Sequence, residues 1–351
     1  MVLAGCHVEV FTTTANGPAE LPVEPGKTVN IDGVQVTYFK RLTKDHTHYS
    51  PDLLKYMRRH VKQFDVVHIH AWWNLVSVLA CRIAVKAGVP VVISPRGTLS
   101  AYSFSNKNNL AKRLIHSFLG ERLLKSSFIH VTSDREKAAM EQLVASKGTF
   151  NIPNFIALPE AISPMTTTPG EKLKLIFFSR IEEKKGLEIL FDALVDISIP
   201  YTLTIAGDGE PDYVNRLKAL AGDKGIATHL NWIGFQGENK FEVLWEHDLM
   251  VLPSYDENFG NVVIESLSVG TAVLISKNVG LFNYIEEKGL GWACENDAAF
   301  FRKSLESIAN NRDTLTRIRQ QAPALIRKDF DEENLRKRYF EMYKQIIHGT
   351  V

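Results

Sequence analysis

Two hydrophobic rhythms alternate along this chain. Short apolar runs, of the kind buried strands carry, are separated by stretches whose apolar residues recur every three or four positions, as on one face of a helix. In the first half, His7 to Phe11 alternates, and Val29 to Phe39 reads as a hairpin about the two-residue turn Asp32-Gly33. A helix is expected from Pro51 to Lys62, a strand over Asp65 to His70, a helix over Leu75 to Ala87 stopped by Gly88, and a strand over Val89 to Ser94. Asn106 to Lys125 predicts a basic amphipathic helix. Strand Phe128 to Thr132, helix Asp134 to Ala145 and strand Phe150 to Ile152 follow. Residues 157–170 carry three prolines and a threonine run, which suits a linker.

The rhythm then restarts. Leu173 to Ser179 predicts a strand, and the helix after Gly186 carries Leu187, Leu190, Phe191, Leu194 and Val195 on one stripe. Strands are expected at Tyr201 to Ala206, Leu230 to Gly234, Leu249 to Leu252 and Ala272 to Ser276, and the last helix shows Leu335, Tyr339, Met342, Tyr343 and Ile346 on one face. Strands alternating with helices at this spacing imply βαβ units and parallel sheets, here as two α/β domains. Met1 to Thr12 reads as a helix tail, a glycine stop and a strand, so the first βα unit of a parallel domain is expected to be missing.

Composition narrows the class. No run of 18 apolar residues predicts a membrane span, and the N-terminus has no signal-peptide pattern. Cys6, Cys81 and Cys294 are few, odd in number and far apart, which offers no disulfide framework or zinc spacing and favours a reducing cytosol. The net charge of +1 hides an asymmetry: residues 1–165 hold 19 Lys+Arg against 12 Asp+Glu, the remainder 22 against 28. A basic first half suits an anionic partner or membrane surface, and equally two domains of different surface charge. In the Asn106 to Lys125 stretch, Leu110, Leu114, Phe118 and Leu119 share one side and the basic residues lie mostly elsewhere. That fits an interfacial helix on anionic lipid, though a surface helix with its stripe in the core is the favoured reading.

Candidate chemistry gathers where parallel strands end. Ser179-Arg-Ile-Glu-Glu-Lys-Lys-Gly186 sets Arg180 at a strand end and Lys185 at a helix entrance, an arrangement that supplies cations and free N–H groups to a pyrophosphate. Gly207-Asp-Gly209 lacks the third glycine of a dinucleotide fingerprint, with Asp at 212, which gives hydride transfer little support. The organising stretch is Asp248 to Leu274, a strand–loop–helix–strand unit in which Glu257 lies in the loop and Glu265 in the helix. A carboxylate accepts two hydroxyl hydrogen bonds from a vicinal diol, and Gly260 and Asn261 offer N–H groups; the plainer alternative is that both acids only offset the helix dipole. His68 and His70 alternate on one strand and are expected to line a core or cleft rather than to catalyse.

These residues come in the order and spacing of a known family. Arg180 with Lys185-Gly186, Gly207-Asp-Gly209, Trp232-Ile-Gly-Phe235 and Glu257-Asn-Phe-Gly-Asn-Val-Val-Ile-Glu265 resemble the retaining GT-B glycosyltransferases of family 4, the glycosyl transferases group 1. Gly5-Cys-His-Val-Glu-Val10, Asp65-Val-Val-His-Ile-His70, Ser94-Pro-Arg-Gly97, Thr132-Ser-x-x-Glu136 and Ile152-Pro-Asn154 match more loosely. The resemblance implies two Rossmann-like domains facing across a cleft: an acceptor-binding domain (1–160), a donor-binding domain (161–330) and a terminal helix (331–351) crossing back to the first. Arg180 and Lys185 would hold the donor diphosphate, Glu257 the transferred sugar with backbone N–H groups around Phe259, Gly260 and Asn261, and Glu265 the ribose. Gly207, Gly209 and Arg96 would border the donor.

The implied reaction transfers a sugar from a nucleoside-diphosphate sugar to a glycan or lipid-linked acceptor with retention of configuration. It would need neither metal nor further cofactor. It would act in cell-envelope or exopolysaccharide assembly, in the cytoplasm at the inner face of the membrane, with no nucleic-acid partner. Two competing readings are a non-catalytic nucleotide-sugar-binding protein and an epimerase of free sugar nucleotides; the second lacks this Glu-x7-Glu arrangement.

Overall fold

The computed structural model describes residues 1–17, 19–45, 47–100, 120–159 and 171–350. The chain divides into two compact units, residues 1–153 with 333–351, and residues 154–332. The division falls after Pro153 rather than near residue 160, because Ile156 and Leu158 already pack on the second core. Most of the basic stretch Asn106 to Lys125 and the linker from residue 160 lie outside the described residues; of the former, Glu121–Lys125 is helical with Leu123 and Leu124 buried. Among the described residues no helix is long and apolar enough to cross a membrane.

The first unit has two main sheets. In one, β1 (Glu9–Thr13) pairs in parallel with β5 (Val34–Phe39), after a short antiparallel pair β2 (Ala15–Asn16) and β3 (Ala19–Glu20), and β4 (Thr28–Ile31) pairs antiparallel with β5. Asp32 and Gly33 form the β4–β5 turn with φ of 50° and 84°, as a hairpin turn matched to strand twist requires. The second sheet is parallel, in the order β6 (Val67–His70), β7 (Val91–Ser94), β8 (Phe128–Val131), β9 (Thr149–Asn151). β7 starts two residues later than the apolar run because Pro90 has no N–H to donate, while its carbonyl accepts from Val67 N at 2.9 Å. The N-terminal helix tail is a single 3₁₀ turn, Val2–Ala4, closed by left-handed Gly5. Helices Pro51–His60 and Leu75–Ala87 start where Ser50 and Asn74 side chains accept from Leu53 N and Ser77 N, and they bury Leu53, Leu54, Met57, Val78, Cys81 and Ala84.

The last helix, Glu332–His348, belongs to this unit. It seats Leu335, Tyr339, Met342 and Ile346 on Val92, Phe128 and Ile152, and its polar contacts are as specific as its apolar ones. His130 Nε2 lies 2.9 Å from the Ile152 carbonyl oxygen, which only accepts, so that nitrogen carries the proton. The direction of the chain then follows. Ser94 donates its O–H to His130 Nδ1 (2.6 Å), His68 donates from Nε2 to Ser94 Oγ (2.6 Å), and Tyr343 donates its hydroxyl to His68 Nδ1 (2.5 Å). Both imidazoles are neutral in this arrangement. Burial, with the nearby histidines and Arg96, holds His68 well below its usual value, and burial pushes His130 down to about 4.

The second unit is one parallel sheet in the order β12-β11-β10-β13-β14-β15. Its strands are β10 (Leu173–Phe178), β11 (Tyr201–Ala206), β12 (Leu230–Gly234), β13 (Leu249–Leu252), β14 (Ala272–Ser276) and β15 (Gly291–Cys294). β13 and β14 are buried along their whole length, as expected of parallel strands covered on both faces. Helix Leu187–Leu194 buries its predicted stripe up to Leu194.

The neutral histidines make stability depend on pH. Between pH 6.5 and about 4 the unfolded chain binds a proton at His130 that the folded chain refuses, so stability is lost as pH falls through that window. The contribution is about 2 kcal/mol between pH 7.5 and pH 5. Urea unfolding at the two pH values measures it. The variant His130→Gln is expected to show a flatter pH dependence, and an unchanged slope would show that His130 is not the titrating group.

Candidate functional site

The direction of the sheet order in the second unit reverses at β10. The chain proceeds outward through β11 and β12, then returns to the other side of β10 with β13, β14 and β15. A crevice outside the carboxyl ends of the strands forms at such a reversal, and it is the usual ligand position in open α/β sheets. The two loops that border it are Ser179–Gly186 after β10 and Pro253–Gly260 after β13, the two stretches singled out from the sequence.

These loops are locked together by backbone. Tyr255 N donates to Lys184 O at 2.9 Å, and left-handed Gly186 (φ 68°) lies so close to the Pro253 carbonyl that any Cβ would drive into its oxygen. The far side is held as firmly: Glu257 N donates to Asn278 O (3.1 Å) and Gly280 N to Glu257 O (2.8 Å), tying the loop to the segment after β14. Glu257 is therefore fixed at both its backbone groups.

Acids and lysines pair off across this frame. Lys185 Nζ bonds Glu257, joining two of the predicted residues, with the lysine side chain 11% exposed. Lys184 lies 3.1 Å from the buried Asp256 carboxylate. Glu265, the fifth residue of helix Asn261–Ser268, is paired at 2.7 Å with Lys240, a residue that the sequence pattern did not single out. Its place in the helix body means that neutralising an N-terminal dipole does not account for it. Arg180 stays at the surface, 2.5 Å from Glu182.

Other predicted residues have more structural duties. Gly207 and Gly209 let the loop after β11 run against that after β10: a Cβ on either would strike the carbonyl oxygen of Ser179 or Ile181. The same turn borders a cavity of about 320 Å³ whose walls include Asn215, Lys218 and Trp232. Phe259 is a core side chain, 6.2 Å from Phe330, which leaves only its backbone for a ligand. Gly260 caps helix Asn261–Ser268 at φ 90°, and Asn261 accepts from Asn154 Nδ2 at 2.9 Å.

Arg96 lies in the first unit, exposed at the end of β7 in the left-handed region (φ 54°), as is Ala71 (φ 63°) after β6. Its turn is pinned by a residue quoted only as part of a motif. The Glu136 carboxylate accepts from Gly97 N (2.9 Å), Thr132 N (2.9 Å) and Thr132 Oγ1 (3.2 Å). His68 and His70 stack with ring centroids 4.5 Å apart, and His68 belongs to the chain that seats the last helix. Among the described residues no group of three or more His, Cys, Asp or Glu side chains could hold a metal ion.

Comparison with solved structures assigns the fold to the two-domain α/β GT-B class. Sucrose-phosphate synthase from Thermosynechococcus elongatus superposes with a TM-score of 0.76 at 18% identity, covering 99% of this chain and 91% of that one. Anabaena HepE in complex with UDP-glucose gives 0.72 at 18% identity, over 97% and 100%. Residues 1–154 match the glycosyl transferase 4-like domain and residues 160–325 the glycosyl transferases group 1 domain, and between them the two matches span most of the chain. A lipopolysaccharide core biosynthesis glycosyltransferase of Rhizobium meliloti is 26% identical over 176 residues, which is 50% of this chain and spans about half (51%) of that protein's length.

The close approach at Gly186 can be measured against a glycine without one. Gly88 is also left-handed (φ 77°) but has open space where a Cβ would sit. Gly88→Ala is expected to cost about 1 kcal/mol, from backbone strain alone. Gly186→Ala is expected to cost about 3 kcal/mol or more, because the clash with the Pro253 carbonyl adds to that strain. Urea unfolding of both variants checks the difference.

Proposed function

We propose that this chain is a retaining, metal-independent glycosyltransferase that moves a sugar from a nucleoside-diphosphate sugar to a glycan or lipid-linked acceptor in envelope polysaccharide or lipopolysaccharide assembly. The observation that carries the reading is the Lys185–Glu257 pair held at the strand-order reversal, in the loop that also carries Arg180 and next to the start of helix Asn261–Ser268. Cations and a glycine-capped helix start suit a diphosphate, and the adjacent carboxylate suits sugar hydroxyls. The two domain matches, the relative of lipopolysaccharide core biosynthesis and the neighbour bound to UDP-glucose support it.

In this reading Arg180 and Lys185 hold the diphosphate and stabilise the negative charge that grows on it as the bond from the anomeric carbon to the β-phosphate oxygen breaks. Glu257 holds hydroxyls of the transferred sugar, and backbone N–H groups from Phe259 to Asn261 assist. The acceptor oxygen bonds to the anomeric carbon on the face that the phosphate leaves, and its proton passes to the departing phosphate. Glu265 binds the ribose, and the Gly207 to Gly209 turn borders the donor. The basic first half faces an anionic membrane surface at the inner side of the cell membrane.

Calorimetric titration with UDP, GDP and ADP, followed by a panel of matching sugar donors, tests the proposal. Product anomers read by NMR are expected to match the donor's, and turnover is expected to persist in EDTA. Glu265→Ala should weaken nucleotide binding by roughly tenfold or more, whereas Glu257→Ala should act mainly on kcat. Nucleotide affinity unchanged by Glu265→Ala would overturn the ribose assignment.

A further inference from the structure

Lys240 opens the helix Lys240–Trp245 in the connection after β12, and its ammonium lies 2.7 Å from one carboxylate oxygen of Glu265, on a different helix and 25 residues away in sequence. The side chains are 29% and 15% exposed. In a mostly buried pair of this kind the desolvation of both charges offsets much of their attraction, so stability is a weak account of it. Nor does Glu265 sit in the first turn of its helix, where a negative charge alone would be favourable. What the pair does present is a matched set of hydrogen-bonding groups. An ionised carboxylate only accepts, an ammonium only donates, and the contact uses Glu265 Oε1 while Oε2 has no partner among the described residues.

A sugar hydroxyl is the group that needs both at once, because its O–H donates while its lone pairs accept. We propose that Lys240 is a positioning and specificity residue for the nucleoside end of the donor. It orients the Glu265 carboxylate and donates to the same ribose hydroxyl from which Glu265 accepts. The couple thereby reads the ribose 2′-hydroxyl, and a nucleotide lacking it leaves both charged groups short of that partner. The inference rests on the donor-binding reading of Glu265.

The test is calorimetric titration of the full chain with UDP and with 2′-deoxy-UDP, for wild type, Lys240→Met and Lys240→Arg, alongside thermal melts of each. Wild type is expected to bind UDP at least about tenfold more tightly than the deoxy analogue. Lys240→Met is expected to weaken UDP by about tenfold while changing 2′-deoxy-UDP less than about twofold, so that the preference collapses. Lys240→Arg, which keeps charge and donors, should restore part of it and keeps the test open should the methionine variant melt early. In steady state with the sugar donor, the methionine change should raise KM and leave kcat close to wild type. A wild-type preference for UDP that persists in Lys240→Met overturns the assignment of Lys240 alone. Failure of the wild type to bind any of UDP, GDP or ADP overturns the donor reading, and this inference with it.

Discussion

The site depends on one steric constraint: the loops after β10 and β13 must touch backbone to backbone at Gly186 and Pro253. A parallel sheet whose order reverses at β10 would otherwise splay these loops apart, and the crevice would have ill-defined walls. Gly186 has no Cβ and adopts a left-handed conformation, so the 3₁₀ turn Glu183–Lys185 folds down onto the opposite loop before helix Leu187–Leu194 begins. That descent carries Lys184 and Lys185 to Asp256 and Glu257. The Glu257 backbone is in turn clamped to Asn278 and Gly280, so the ion pair sits in a frame fixed on both sides. Side chains on such a frame lose little further freedom on binding a ligand, which is what preorganisation requires.

The electrostatics follow from the same frame. Three acids, Asp256, Glu257 and Glu265, stand within ten residues of one another, and each is met by a lysine from elsewhere in the chain. A buried carboxylate such as Asp256 is costly without a partner, and Lys184 is one group that meets it. The Glu257 and Glu265 carboxylates are more open than that of Asp256 (21% and 15% exposed against 3%), and in the proposed reading they would be shared with a donor, the carboxylates with its hydroxyls and the lysines with its phosphates.

Much of this was legible along the chain because the information is local. β13 and β14 are uninterrupted apolar runs but for the last residue of β14, and β11, β12, β13 and β14 fall on the residues expected. Glu257 and Glu265 stand out because loop and helix start are contiguous. Strand order is another matter: that β13 returns to the side of β10 is a property of topology, and no residue pattern announces it. Lys240 was missed for the same reason, since its partner is 25 residues away and is reached only through the packing of one helix on another. At Phe259 the expectation concerned the backbone N–H alone, and the ring is core.

The first unit solves a similar problem with the charges exchanged. Arg96 is a non-glycine residue in left-handed backbone, followed by left-handed Gly97, a conformation that persists only when its surroundings over-determine it. Glu136 provides that determination: it is buried in the first turn of helix Asp134–Leu143, and three hydrogen bonds converge on its carboxylate from Gly97 and Thr132. Removing the acid would take away the hydrogen bonds it accepts from Gly97 and Thr132 and loosen the turn, so the consequence for Arg96 would be loss of position and not loss of charge. In both units, then, a carboxylate at the carboxyl edge of a parallel sheet sets where a cation stands. In the second unit it does so by direct pairing, and in the first by holding the loop from which the arginine projects.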